Sequence, residues 1–178
     1  MAAVLALSAG LFLTLPARAA DPPVPDANRD NLAEQVRHQL VMLPYYSIFD
    51  NLQFQVADGG AIVLSGEVMR PTLKSDAAFA AGRVKGVEKV VNNIEVLPLS
   101  RYDDRIRLAL YRTLFFDTQL DRYALQAVPP LHIIVKNGRV SLEGVVATQA
   151  DKDVAGILAN TVPGIFSVTN NLKVEKNG

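Results

Sequence analysis

The sequence of 178 residues contains no cysteine. This absence excludes disulfides, thiolate nucleophiles, zinc–cysteine sites and a lipid anchor on an N-terminal cysteine. An excess of one charge is also missing, because Lys plus Arg and Asp plus Glu each total 18. No overall field favours nucleic acid, and we expect neither a nucleic-acid nor a metal partner. Stability must come from packing, for which a hydrophobic content of 49% suffices.

Long hydrophobic runs are scarce. The longest, residues 4–15, is about a dozen residues long, whereas a membrane-spanning helix needs about 20. The "PARAA" that follows has the A-x-A pattern of a cleavage site. We therefore predict an export signal over residues 1–19. The Pro-rich residues 20–29 are predicted to form a tether.

Catalytic residue patterns are lacking as well. The only histidines, His38 and His132, fall on different elements of the chain and have no metal-ligand spacing. The carboxylates are scattered among element ends and form no acid–base pair, as the positions of Glu67, Asp103, Asp104 and Asp151 show. The sequence predicts a protein that is not an enzyme and that carries no cofactor.

What the chain does contain is an internal repeat. A shift of 78 positions aligns residues 60–96 with 138–174 without a gap. Upstream, the first helices align at a shift of 74, so the second copy carries a four-residue insertion, which we assign to "DRYALQAVPP". The matched positions include Gly66 and Gly144, Gly86 and Gly164, and two Asn-Asn pairs, Asn92-Asn93 and Asn170-Asn171.

Hydrophobic periodicity gives each copy the same order of elements. A helical i, i+4, i+8 spacing opens each copy. It is carried by Leu32, Val36 and Leu40, and by Ile106, Leu110 and Leu114. Two alternating strands follow, joined by "ADGGA" in the first copy and by Asn137-Gly138 in the second. A second helix over 71–84 or 149–162 is predicted to end at Gly86 or Gly164, and one last strand follows.

The predicted fold class is α+β, with two α-β-β-α-β domains over residues 30–98 and 104–176 and a linker over 99–103. Gly66 and Gly144 indicate places where the chain bends or another backbone comes close. Asn92 and Asn170 are predicted to lie near the core at the start of the last strand, where a side-chain amide satisfies loop backbone groups.

The stretches "GAIVLSGEV" with "GVEKVVNNIEV", and "NGRVSLEGVV" with "PGIFSVTNNLKV", resemble proteins with tandem BON (bacterial OsmY and nodulation) domains. The resemblance covers nearly the whole chain after the export signal. It implies two helices packed on a three-stranded mixed sheet in each domain. It also implies a non-enzymatic periplasmic or envelope role, with phospholipid binding, osmotic stress or chaperone-like maintenance of the envelope as functions. Without cysteine, the chain is more similar to the soluble, OsmY-like members than to the lipoproteins.

One difference between the copies bears on function. In the first helix of copy two, the side opposite the core carries Leu108, Tyr111 and Phe115, where copy one has Glu34, Arg37 and Val41. Arginines surround this apolar side, namely Arg101, Arg105, Arg107 and Arg112. Either the side packs against copy one, or it contacts an anionic membrane or a partner protein.

Two functions remain open from the sequence. In the first, the second domain binds anionic phospholipid at a membrane surface through Arg105, Arg107, Leu108, Tyr111, Arg112 and Phe115. In the second, the protein is a soluble periplasmic chaperone or adaptor that binds other envelope proteins without lipid affinity. Near-neutral charge favours the second, and the arginines around the apolar helix favour the first.

Overall fold

The structure is a computed structural model that describes residues 27–126 and 129–175. The predicted export signal, residues 1–19, and the predicted tether up to residue 26 lie outside the described residues. The first helix begins at Ala27, so the last three residues of the predicted tether belong to this helix.

Each copy forms the predicted α-β-β-α-β unit, and the third strand is in two pieces. Domain 1 consists of α1 (Ala27–Val41), β1 (Asn51–Val56), β2 (Ala61–Val68), α2 (Pro71–Gly82), β3 (Lys89–Asn92) and β4 (Glu95–Val96). Domain 2 consists of α3 (Arg101–Phe115), β5 (Leu131–Lys136), β6 (Arg139–Val146), α4 (Gln149–Thr161), β7 (Ser167–Asn170) and β8 (Lys173–Val174). Helix α3 thus begins inside the range expected to be linker.

The sheets are mixed, as predicted. In domain 1 the central strand β2 pairs antiparallel with β1 and parallel with both β3 and β4. In domain 2, β6 pairs in the same way with β5, β7 and β8. Both helices of a domain contribute to its hydrophobic core. Buried core residues on the first helices include Val36, Leu40, Ile106, Leu110 and Leu114.

The Asn-Asn pairs lie where the third strand is interrupted, not at its start. In domain 2 the side-chain amide of Asn170 donates from Nδ2 to the carbonyl oxygen of Lys152 on α4, at 2.7 Å. Its Oδ1 accepts from the backbone N–H of Leu172 at 3.2 Å. Asn92 makes the matching bonds to Lys74 and Ile94 at 2.8 and 3.2 Å. The prediction of one continuous strand is wrong, because β3 and β7 end at Asn92 and Asn170 and pairing resumes only at Glu95 and Lys173.

Gly66 and Gly144 lie at close backbone contacts. A Cβ atom added to Gly144 would stand 2.0 Å from the carbonyl oxygen of Pro130, and its φ is +111°. For Gly66 the same atom would stand 1.9 Å from the carbonyl oxygen of Asn51, at a φ of +102°. Only glycine fits such a site without moving the neighbouring chain.

Two details of the predicted chain path are wrong. Helices α2 and α4 end at Gly82 and Thr161, before Gly86 and Gly164, which instead lie with positive φ in the turns that lead to the third strands. The extra length of copy two is also not a single insertion. Its helix-to-strand segment, 116–130, is longer than 42–50 of copy one, whereas its hairpin turn, 137–138, is shorter than 57–60.

Candidate lipid-binding surface

Helix α3 presents a row of exposed residues to solvent. Ser100 caps its first turn, since its Oγ accepts from the backbone N–H of Asp103 at 3.1 Å. The buried carboxylate of Asp103 in turn accepts from the N–H groups of Asn137 and Gly138, which ties the helix start to the β5–β6 hairpin. This anchoring fixes which side of the helix faces outward.

The exposed residues follow the helical spacing i, i+4, i+7, i+11 and i+15. They are Arg101, Arg105, Leu108, Arg112 and, at the C-cap, Phe116, and we call them the arginine stripe. Leu108 is 47% exposed and Phe116 is 77% exposed. The stripe therefore combines three guanidinium groups with two apolar side chains.

Aromatic side chains extend the stripe at its N-terminal end. Tyr102 is partly exposed, and its ring centroid lies 6.2 Å from that of Phe166, which is 75% exposed. The guanidinium carbon of Arg105 lies 5.9 Å from the centre of the Tyr102 ring. The Tyr102 hydroxyl donates to the carbonyl oxygen of Gly164. This end of domain 2 thus presents aromatic and cationic groups together.

Two residues expected on the binding surface are buried. Arg107 is 3% exposed and donates to Asp104 Oδ1 at 2.7 Å and to the carbonyl oxygen of Val135 at 2.5 Å. Phe115 is 5% exposed and belongs to the core cluster of domain 2. The prediction that these two side chains are available to a ligand is wrong, because Arg107 lies against β5, where it bonds Val135, and Phe115 packs into the core cluster.

Domain 1 packs against the Phe115 side of domain 2. Ile48 and Phe49, in the segment between α1 and β1, pack against the core cluster of domain 2. The backbone N–H of Ile133 on β5 donates to the carbonyl oxygen of Ile48 at 2.7 Å. Tyr111 is half-buried beside this segment. The apolar side predicted for α3 is therefore divided, with Tyr111 and Phe115 turned towards the domain junction and Leu108 at the surface.

A cleft of about 420 Å³ remains at this junction, which we call the junction cleft. Its apolar lining comes from both domains and includes Ile48, Phe49, Leu108, Tyr111, Phe115 and Ala124. Leu108 belongs to the cleft and to the arginine stripe, so the two features are continuous.

The junction also buries two titratable rings. His132 Nε2 lies 3.4 Å from the hydroxyl of Tyr46, and the ring centroids are 5.5 Å apart. Burial lowers the pKa of His132, although the Asp50 and Glu143 carboxylates oppose that shift. Burial raises the pKa of Tyr46 to about 12. Both groups are therefore neutral at pH 7.

Within the described parts of the chain, no group of His, Asp and Glu could hold a metal ion. His38 is exposed on α1, far in sequence from the buried His132. Over residues 27–126 and 129–175, no helix is long and apolar enough to cross a membrane.

The sequence reasoning missed Phe116, Tyr102 and Phe166. Phe116 follows the exposed spacing of Arg101, Arg105 and Arg112, and that spacing could have found it. Phe166 lies in the turn after α4, and only the fold brings its ring to Tyr102.

No curated protein matches this chain. Two solved structures of CdsD, described as a structural protein of the type III secretion system of Chlamydia trachomatis, are similar to it at 16% identity. The first match covers 83% of this chain and 95% of the other, and the second, to the C-terminal domain, covers 82% and 98%. Both have a TM-score of 0.29, and neither supports a functional assignment.

The BON domain family matches the chain twice, over residues 28–98 and 103–176. These two ranges cover the two α-β-β-α-β units of the structure except for the first residue of α1 and the first two residues of α3. The chain belongs to the BON domain family and carries two copies of the domain in tandem.

Proposed function

We propose that this protein is a non-enzymatic binding protein of the cell envelope that binds anionic phospholipid peripherally through the arginine stripe of its second domain. BON domains are non-catalytic binding domains associated with phospholipid binding and with osmotic-stress proteins. The predicted export signal supports a periplasmic location, and the family association with osmotic-stress proteins supports a role in envelope integrity under stress.

The observation that carries the proposal is the composition of the stripe. Arginine guanidinium groups bind phosphate by paired hydrogen bonds, and apolar and aromatic side chains enter the membrane interface. Arg101, Arg105 and Arg112 are all exposed. Of the two carboxylates between them, Asp103 is buried and accepts from backbone N–H groups, and Asp104 is bound by the buried Arg107. The stripe therefore presents positive charge that no neighbouring acid on the helix neutralises.

The test is co-sedimentation of residues 20–178 with vesicles of phosphatidylglycerol or phosphatidylcholine at low and moderate salt. We expect salt-sensitive binding to the anionic vesicles alone. An arginine near an anionic surface contributes about 1 kcal/mol, so Arg105→Gln with Arg112→Gln should weaken binding roughly thirtyfold.

The matched control is Arg37→Gln with Arg83→Gln, which removes two exposed arginines from the helices of domain 1. It should bind anionic vesicles like the wild type. Equal losses in both double variants would show adsorption that does not depend on the stripe. No binding of the wild type to either vesicle would favour the alternative function, a periplasmic chaperone or adaptor for other envelope proteins.

A further inference from the structure

The junction cleft has the chemistry of an apolar ligand site. Its volume of about 420 Å³ falls within the range of small-molecule pockets, which is roughly 300–1,000 Å³. Among the residues that the structure describes, none of the side chains that line it is charged. Ile48 and Phe49 form one wall from domain 1, and Tyr111 and Phe115 form another from α3. A hydrocarbon segment would bury methylene groups here without leaving a buried charge unpaired.

The charged residues at the border of the cleft indicate the kind of head group that such a hydrocarbon chain would carry. Leu108 lines the cleft and is also part of the exposed arginine stripe. Arg105 precedes Leu108 by three residues and Arg112 follows it by four, so both lie beside Leu108 on the surface of α3. A ligand whose chain enters at Leu108 therefore has guanidinium groups on either side of its end, which favours an anionic head group.

We propose that the junction cleft holds one acyl chain of an anionic phospholipid whose head-group phosphate is bound by Arg105 and Arg112. This inference rests on the proposed function and deepens it, because it changes adsorption to a charged surface into recognition of an individual lipid molecule. The site would require both domains, since each domain supplies one wall of the cleft.

The experiment is a methyl NMR titration of residues 20–178 with lauroyl lysophosphatidylglycerol below its critical micelle concentration. We expect saturable shifts of the Ile48 and Leu108 methyl groups and nuclear Overhauser contacts between the lauroyl chain and Ile48. The methyl group of Ile157, exposed on α4 away from the cleft, serves as the control and should not shift. Glycerol 3-phosphate, the head without the chain, should leave Ile48 unchanged.

Ala124→Phe is expected to fill the cleft and to weaken lysolipid binding at least tenfold. Ala80→Phe, in a surface groove of domain 1, is the matched control and should bind like the wild type. The proposal is overturned if a folded Ala124→Phe variant binds with unchanged affinity, or if Ile157 shifts as much as Ile48. If Ala124→Phe does not fold, the contacts between the lauroyl chain and Ile48 in the wild type decide the question, and their absence overturns the proposal.

Vesicle sedimentation separates this inference from the proposed function. If the cleft proposal fails alone, wild-type protein still binds anionic vesicles and loses that binding in the Arg105→Gln, Arg112→Gln variant. If the proposed function fails alone, no vesicle binding is seen although the lauroyl chain still contacts Ile48.

Discussion

At the scale of single residues, the Asn-Asn pairs show how an asparagine side chain can bond backbone groups where a strand is interrupted. Asn170 is half-buried and bonds two backbone groups, one on α4 and one beyond the interruption of the strand. Asn171 is exposed, and its side chain bonds only other side chains, those of Ser141 and Glu143. The two asparagines of the pair therefore have different structural importance.

Asn170→Ala is expected to lower the free energy of unfolding by about 1–3 kcal/mol, because it leaves partly buried backbone groups without partners. Asn171→Ala, the matched control, should change it by no more than about 0.5 kcal/mol. Urea unfolding of residues 20–178 measures both values. Equal losses for the two variants would contradict this assignment.

At the scale of elements, the two second helices begin differently although they align in sequence. Helix α4 has a capping box in which Thr148 and Asp151 bond each other's backbone N–H groups. Helix α2 begins with Pro71, and its N-cap residue, Arg70, makes no side-chain cap. The Asp151 carboxylate also accepts from Tyr123 at 2.8 Å. Copy two thus ties its longer helix-to-strand segment to the start of α4.

This cap makes the stability of domain 2 depend on pH. Burial by itself would raise the pKa of Asp151, but hydrogen bonds from Gln119, Tyr123 and Thr148, with the charge of Arg122, lower it to about 2. The ordinary value is 3.8, so the unfolded chain takes up the proton first as the pH falls. The stability that the ionised group gives is therefore present above about pH 4 and is lost towards pH 2.

Asp151→Asn should lower the free energy of unfolding at pH 7 by about 1.5–3 kcal/mol, the usual contribution of hydrogen bonds to a charged group. The difference between wild type and variant should shrink between pH 4 and pH 2. Urea unfolding at pH 7, 4 and 2.5 checks both points. A difference that stays constant with pH would show that the carboxylate charge does not matter.

At the scale of the whole molecule, the two sheets differ in the burial of their first strands, and this difference reflects the contact between the domains. On the outer face of β5, His132 and Ile134 are buried, whereas their register equivalents on β1, Gln53 and Gln55, are exposed. Domain 1 covers β5 with the segment that contains Ile48. The copies have thus diverged where one contacts the other.

The buried His132 should make this junction sensitive to acid. Because its folded pKa is lowered, the neutral ring contributes stability that is complete above its ordinary value of 6.5 and is lost as the pH falls below it. The neighbouring Tyr46, Asp50 and Glu143 are the groups that face it.

We expect thermal unfolding of the wild type to shift to lower temperature between pH 7 and pH 5 by more than that of His132→Gln. The exposed His38→Gln is the control and should keep the wild-type pH dependence. If His132→Gln shows the same pH dependence as the wild type, protonation of His132 does not cause the loss of stability in acid.

The sequence by itself determined the two copies, the order of their elements and the residues of each domain core. Hydrophobic period and turn chemistry are local properties, so Val36 or Leu110 can be assigned to a core without knowledge of distant contacts. The turns at Gly59-Gly60 and Asn137-Gly138 have the positive φ angles that their residue types predict.

Only the tertiary structure decided which side of α3 is exposed. A helical period places Phe115 opposite the domain core, but the segment around Ile48, some 60 residues away along the chain, covers the junction side of the helix. Nor does the period show the strand interruption, because Asn92 and Asn170 bond helix carbonyls that only the folded chain brings to them. Burial at a domain junction is a long-range property, and for this reason we propose the arginine stripe, not the apolar side of α3 predicted from the sequence, as the binding surface.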